Sequence, residues 1–273
     1  MRRGGKGTVG GGGGKRETPR GEEPVIGFEL PRVSAAAKAR AAAIYAALLE
    51  RYPGAHCELQ HDPRWPHQLL VATILSAQAT DLGVNKATPA LFGAFPTPEA
   101  FARATPEDIE PFIRTIGLFR NKARAVHGAM TSVVRDFGGE VPRSMEELLT
   151  LRGVARKTAN VVLGNAFGIN LGVVVDTHVE RLSKRLRLAP DSATTAMVER
   201  HLMARFPREQ WCMLSHLLIF HGRRACKARG GQCATDAICV KWCSEARPGN
   251  PERDRASDRV SGGEAGRSVT RRP

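Results

Sequence analysis

The chain of 273 residues contains no apolar run of the roughly 18 residues that a membrane span needs, which excludes a helical transmembrane protein. Its opening, MRRGGKGTVGGGGGKRETPRGEEP, has no apolar segment, so no secretory signal is read there. Strand signals are nearly missing. The one β-branched run, GVVVD at 172–176, is too short and too solitary to found a sheet. No solenoid-type repeat is found either. Cysteine is scarce but unevenly placed: Cys57, Cys212, Cys226, Cys233, Cys239 and Cys243, with the last four inside 18 residues. In a non-secreted chain that crowding argues for a metal site over disulfides. Cys-x-x-Cys is absent, which weighs against a zinc ribbon.

Acidic side chains are outnumbered. Lys and Arg total 41 against 27 Asp and Glu, for a net charge of +14 and a pI near 10.2. Residues 1–33 and 245–273 carry +3 and +2, which leaves +9 on the stretch between. The basicity therefore belongs to the folded part as well as the ends, and points to a polyanion, most simply nucleic acid. Both ends read as loose, disordered tails, the first glycine-rich and basic.

Between the tails the pattern is helical almost throughout. Ser34 caps a helix that stops at Pro53-Gly54. Pro66 opens PHQLLVATILSAQA in the favoured first-turn position. A helix from Asp81 meets Pro89, a candidate interruption. Thr97-Pro98-Glu99 and Thr105-Pro106-Glu107 repeat one start signal, and the helix from the second ends at Gly117. Another runs to Gly138-Gly139, and Ser144 with Glu147 forms a capping box. Asp191 or Ser192 begins a later helix, and a last one runs into the cysteines. The fold class is all-α.

The stretch EELLTLRGVARKTANVVLGNAF reads as helix, tight turn at Gly153, then a helix from about Arg156 to Phe167. Such a turn points backbone N–H groups outward at a helix N-terminus, where they can cradle a phosphate. Arg152, Gly153, Val154, Ala155 and Arg156 make up this candidate backbone grip, and a plain helical corner is the alternative. Lys157 sits at the positive end of the helix, where a cation is unfavourable. The dipole, two neighbouring arginines and partial burial would favour a neutral, nucleophilic amine. Asp176, in VVVDTHVERL, reads as an N-cap, with Thr177 and Glu180 available as a capping box. It also supplies a carboxylate that could steer the lysine's proton and stabilise positive charge on a sugar.

These motifs, with ILSAQATDLGVNKAT and the C-terminal cysteines, resemble the endonuclease III family of helix-hairpin-helix DNA glycosylases over residues 34–244. The resemblance implies a two-lobed all-α fold with DNA in the cleft. One lobe is a six-helix barrel at 66–170; the other joins 34–65 to 171–244 and holds a [4Fe–4S] cluster on Cys226, Cys233, Cys239 and Cys243. It implies a bifunctional glycosylase and abasic-site lyase for oxidised pyrimidines in duplex DNA, acting by base flipping. Lys157 forms the Schiff base that leads to β-elimination, and Asp176 supports it. Gln78 and Leu118 wedge into the gap left by the flipped nucleotide, and His178 lies near the DNA or the pocket. A monomer in the cytoplasm, at the nucleoid, is expected.

Two features depart from the family pattern. The usual Leu-Pro-Gly-Val-Gly reads here with Arg152 and Ala155 in place of the proline and second glycine. If the latter position needs positive φ, alanine costs about 1 kcal/mol. The usual gaps between cluster ligands are six, two and five residues; here they are six, five and three. Four thiolates in so short a segment still suit a sulfur site, with [4Fe–4S] favoured over zinc. The alternatives are a monofunctional mismatch glycosylase, which usually lacks the lysine, and a helix-hairpin-helix DNA-binding protein without chemistry. A metal–sulfur electron carrier gives no reason for the charge or the hairpin.

Overall fold

The computed structural model describes residues 27–246, and every regular element among them is helical. The Oγ of Ser34 accepts from the Ala37 N–H at 3.2 Å and starts α1 (Ala35–Arg51). In α2 (Pro66–Ser76) the proline occupies the first turn, where its missing N–H costs nothing. This helix ends before the sequence pattern suggests, because Gln78 turns the backbone to φ 54°. Thr80 caps α3 (Asp81–Ala94), and Pro89 does not break it. One backbone hydrogen bond is lost at the proline, but Val84, Ala87, Thr88 and Leu91 bury one face and carry the helix through.

The two Thr-Pro-Glu signals start α4 (Pro98–Arg103) and α5 (Pro106–Ile113), each with its threonine as cap. At α5 the box closes, with the Thr105 N–H donating to Asp108 Oδ2 at 2.8 Å, but the helix stops short of Gly117. α6 (Phe119–Phe137) ends on Gly138 at φ 64°. α7 (Met145–Thr150) and α8 (Arg156–Phe167) flank the turn at Gly153. Asp176 caps α9 (Thr177–Arg185). α10 (Thr195–Arg205) is capped by Thr194, not by Asp191 or Ser192, which lie in the preceding turn. α11 (Trp211–Arg224) leads to the cysteines, and Asp236 caps α12 (Ala237–Trp242).

Two apolar cores result. The first packs Ile44 and Leu48 of α1 against Val179 and Leu182 of α9, Val198 and Leu202 of α10, and Leu214, Leu217 and Leu218 of α11. The second is enclosed by α2 to α8, around fully buried Leu69, Leu70, Leu91, Phe101, Ile109, Met130, Leu148 and Leu163. Each such side chain stabilises the fold by about 1.5–3 kcal/mol relative to exposure. Arg40 clamps α1 to the far end of the chain, donating to the Leu186 carbonyl at 2.6 Å and the Trp242 carbonyl at 3.2 Å.

The loose tails are shorter than expected within the described residues. The Phe28 ring lies 5.0 Å from the Arg156 guanidinium carbon and 4.6 Å from that of Arg200, and Leu30 packs on the first core. At the other end Ser244–Ala246 forms a 3-10 turn with Ala246 buried. Apolar contact is what fixes both segments. The remainder of each expected tail, 1–26 and 247–273, lies outside the described residues.

Candidate active site and metal centre

The turn between α7 and α8 is built by local rules. Val154 N–H donates to the Leu151 carbonyl at 3.1 Å, and the Val154 side chain plugs into the second core. Gly153 stands at φ +80°, and a Cβ there would sit 3.0 Å from the Ala125 Cβ, so both backbone and space require glycine. Ala155 is extended, at φ −103° and ψ 171°. The conformational cost expected if alanine stood in a left-handed position is therefore absent.

Because alanine cannot cap, α8 starts with no side-chain hydrogen bond to its first-turn N–H groups. The exposed Arg152 side chain lies along Gly128 of α6. Arg156 turns the other way. Its Nη2 is 3.1 Å from Glu199 Oε1 and donates to the Leu171 carbonyl at 3.0 Å, while Asn160 Nδ2 also reaches Glu199 at 3.3 Å. Its guanidinium thus ties α8 to α10 instead of joining Arg152 beside the lysine.

Lys157, the second residue of α8, is exposed, so the partial burial expected of it is not found. Asp176 is rigidly placed, its Oδ1 accepting from the Val179 N–H at 2.7 Å. The box imagined between Thr177 and Glu180 does not form. Glu180 instead accepts from Lys184 at 2.7 Å and from Thr195 at 2.9 Å. Lys157 and Asp176 line the same cavity, of about 220 Å³, together with Gln78 and Asp81. That volume lies below the ~300–1,000 Å³ of drug-sized sites and suits one small ring.

By sequence Asp81 marks only the start of a helix. Its carboxyl is pushed up, first by burial and then by the nearby Asp176 carboxylate, against the opposing pull of Lys157 and His178. Arg223 of α11 donates to Asp81 Oδ2 at 2.8 Å and pairs with Glu58.

A polar network forms another part of the cavity wall. His216 Nε2 lies 2.8 Å from Asn165 Oδ1, and Asn165 Nδ2 donates to the Val161 carbonyl at 2.8 Å. Asn165 therefore accepts from the ring, which fixes the proton on Nε2. Burial, then the nearby His56, push His216 down to about 4, so it is neutral at pH 7. Burial, then Cys57, push the Cys212 thiol up to about 11, so it keeps its proton. Cys57 and Cys212, the two cysteines outside the C-terminal group, both line the cavity.

Gln78 and Leu118 share an unusual backbone. Among the described residues only Gln78 (φ 54°), Leu118 (φ 58°) and Arg187 (φ 55°) are non-glycine residues at positive φ. Gln78 is exposed, and Leu118 is 59% exposed, which is unusual for a large apolar side chain. Gln78 lies at the cavity, and Leu118 precedes the first turn of α6. His178 packs against Gly222 of α11, its Nδ1 3.3 Å from Arg181 Nη2.

Behind α11 the sulfur atoms of Cys226, Cys233, Cys239 and Cys243 all lie within 4.8 Å of one another, and none forms a disulfide. Three are buried and Cys233 is partly so. Hydrogen bonds from Cys233, then Cys239 and Cys243, with Arg185 beside them, pull the Cys226 thiol down toward the thiolate. Four converging soft donors fit a metal cluster.

A family profile described as HhH-GPD superfamily base excision DNA repair protein matches residues 71–208. Hairpin, all-α fold and cysteine centre together thus define a base-excision helix-hairpin-helix protein. The chain is 51% identical over 213 residues to endonuclease III of Synechocystis sp. (strain PCC 6803), covering 77% of this chain and 96% of that relative. It is 39% identical over 205 residues to endonuclease III of Escherichia coli K12, covering 74% and 95%. A solved non-covalent endonuclease III–DNA complex superposes with a TM-score of 0.73 at 41% identity, covering 80% of this chain and 98% of that one. A trapped endonuclease III–DNA covalent intermediate superposes at 0.72 and 42%, covering 77% and 96%. The chain belongs to the endonuclease III family.

Proposed function

We propose that this protein is a bifunctional DNA glycosylase and abasic-site lyase that removes oxidised pyrimidines from duplex DNA in base excision repair. The observation that carries the reading is the meeting of Lys157 and Asp176 at one ring-sized cavity, beside an uncapped helix-hairpin-helix turn. The first-turn N–H groups of α8 and the Gly153 turn grip a phosphate without reading sequence. Arg152 adds charge there, and Arg156 contributes through its backbone, its guanidinium being engaged by Glu199. Leu118 and Gln78 fill the gap left when the damaged nucleotide swings into the cavity.

The Lys157 Nζ lone pair then attacks the sugar C1′. The C1′–N bond breaks, its electron pair leaves with the base, and the base takes up a proton. Asp176 steers the lysine's proton and stabilises positive charge on the sugar. The C1′–O4′ bond then opens, the amine's proton passing to O4′, and the Schiff base forms; loss of a C2′ proton from it expels the 3′ phosphate, and water releases the lysine. Because Lys157 is exposed in the free protein, bound DNA supplies the burial that the amine lacks.

Cys226, Cys233, Cys239 and Cys243 would hold a [4Fe–4S] cluster, which supplies a covalent staple for the basic loop around them. Four converging thiolates in a chain of the endonuclease III family support iron–sulfur over zinc. No helix among the described residues is long and apolar enough to cross a membrane, and the protein acts where the chromosome is, at the nucleoid.

The test is borohydride trapping on a duplex with one abasic site or one oxidised pyrimidine. A covalent complex that vanishes in Lys157→Ala is expected. Binding without any trapped complex would reduce Lys157 to a phosphate contact and sink the lyase.

A further inference from the structure

Two of the four clustered cysteines are reached from outside the ligand set: Cys226 by the Arg185 guanidinium at 3.5 Å, and Cys239 by a buried histidine. His221, in the last turn of α11, is fully buried, and its Nε2 lies 3.4 Å from Cys239 Sγ. Its other nitrogen, Nδ1, lies 3.0 Å from the hydroxyl of Tyr52, the residue that closes α1. The two rings are in contact, with centroids 5.8 Å apart. Asp236 is the remaining polar neighbour. Its Oδ1 is 3.9 Å from Nε2, beyond hydrogen-bond reach, and already accepts from the Ile238 and Cys239 N–H groups at 3.0 and 3.1 Å.

Proton counting fixes the direction of both bonds. A metal-bound cysteine sulfur carries no proton and can only accept. A hydrogen bond at Nε2 then requires the proton to be on His221. A neutral imidazole has one N–H, so Nδ1 must be the acceptor and Tyr52 the donor. Burial pushes the Tyr52 hydroxyl up to about 12, so its proton is always present to give. Tyr52 therefore selects the tautomer that turns an N–H toward the sulfur.

We propose that Tyr52 and His221 form a positioning relay for the metal centre, in which His221 Nε2–H donates to Cys239 Sγ. The relay rests on the iron–sulfur reading of the four cysteines. It joins α1, α11 and α12 at one sulfur atom. It fixes the Cys239 side chain and draws electron density from its thiolate, which favours the reduced state of a bound cluster and slows ligand loss.

The protein is purified without oxygen, and its iron, sulfide and zinc are measured before any variant is compared. Zinc without iron would overturn the iron–sulfur reading and the relay with it, while leaving the borohydride test of the lysine untouched. With iron and sulfide present, the visible spectrum, the midpoint potential and the rate of iron loss to a chelator are read on His221→Leu, His221→Gln and Tyr52→Phe. His221→Leu is expected to lower the potential and lose iron roughly tenfold faster. Glutamine, which keeps an N–H near the same position, restores most of both, and Tyr52→Phe shifts both in the same direction by less. An unchanged potential and unchanged iron loss in His221→Leu would overturn the relay. Should that variant fail to fold, the same null result in Tyr52→Phe decides it.

Discussion

Arg223 Nη2 donates to Asp81 Oδ2 at 2.8 Å, so α11, which packs in the first core, is tied to α3 of the second at the wall of the lysine's cavity. The same guanidinium pairs with Glu58. Arg223→Leu strands the partly buried Asp81 carboxylate near Asp176 and leaves Glu58 with Arg224, 3.7 Å away. Unfolding in urea should show a loss of about 1–2 kcal/mol. Single-turnover cleavage should slow as well, because the cavity wall loses its brace. A variant with parental cleavage would show that the tie is only structural.

At the hairpin, Gly153 and Ala155 separate what must be glycine from what need not be. Gly153→Ala meets both a positive φ and the Ala125 methyl. It should cost about 1–3 kcal/mol and weaken duplex binding in fluorescence anisotropy. Ala155→Gly, which recreates the family residue, should bring no gain in affinity. Its φ of −103° suits alanine, and glycine's advantage at an N-cap offsets the unfolded-state entropy it adds, so stability should move by less than about 1 kcal/mol.

Leu118 holds a left-handed backbone with an apolar side chain in water. Leu118→Gly relieves that strain and should raise stability by up to about 1 kcal/mol. The same change removes the wedge, so excision from a lesion-bearing duplex should fall while cleavage of a ready-made abasic site falls less. Higher melting temperature with undiminished excision would remove Leu118 from the DNA interface.

His216 sets an acid limit. Its folded value of about 4 lies below the ordinary ~6.5, so between these two pH values the unfolded chain binds a proton that the folded one does not. Stability is complete above about 6.5 and falls as the pH drops toward 4, by up to about 3 kcal/mol from this group. His216→Gln should be less stable than the parent at pH 7.5, with the gap closing on acidification. A parallel pair of stability–pH curves would contradict this.

The sequence announced the hairpin helix because its signals are local: Gly153 for the turn, Gly168 at φ 67° for the stop. The cysteine centre was equally legible, since four ligands inside one short segment can only meet one another. Gln78 and Leu118 were named through family resemblance; their left-handed backbone was hidden, since neither residue type advertises positive φ. Beyond Lys157, Asp176 and Gln78, the cavity wall was not legible. Asn165 and His216 meet across 51 residues, and no periodicity marks a contact between α8 and α11. Arg156 was read as DNA-facing by its charge alone, with no means of seeing that Glu199, 43 residues on, had claimed it. Pro89 gave a false signal of interruption, because the apolar face of α3 outweighs one missing hydrogen bond.

The clamp of Arg40 on the Trp242 carbonyl spans 202 residues of chain. A ribosome adds roughly 5–20 residues per second, so α1 leaves it roughly 10–40 s before its partner exists. Until α9 to α11 follow, Ile44 and Leu48 have no core to enter, whereas α2 to α8 are complete in sequence first and can pack at once. Biosynthesis thus builds the DNA-gripping half first, leaves an orphan amphipathic helix waiting on the surface, and closes the molecule only when its final cysteines emerge.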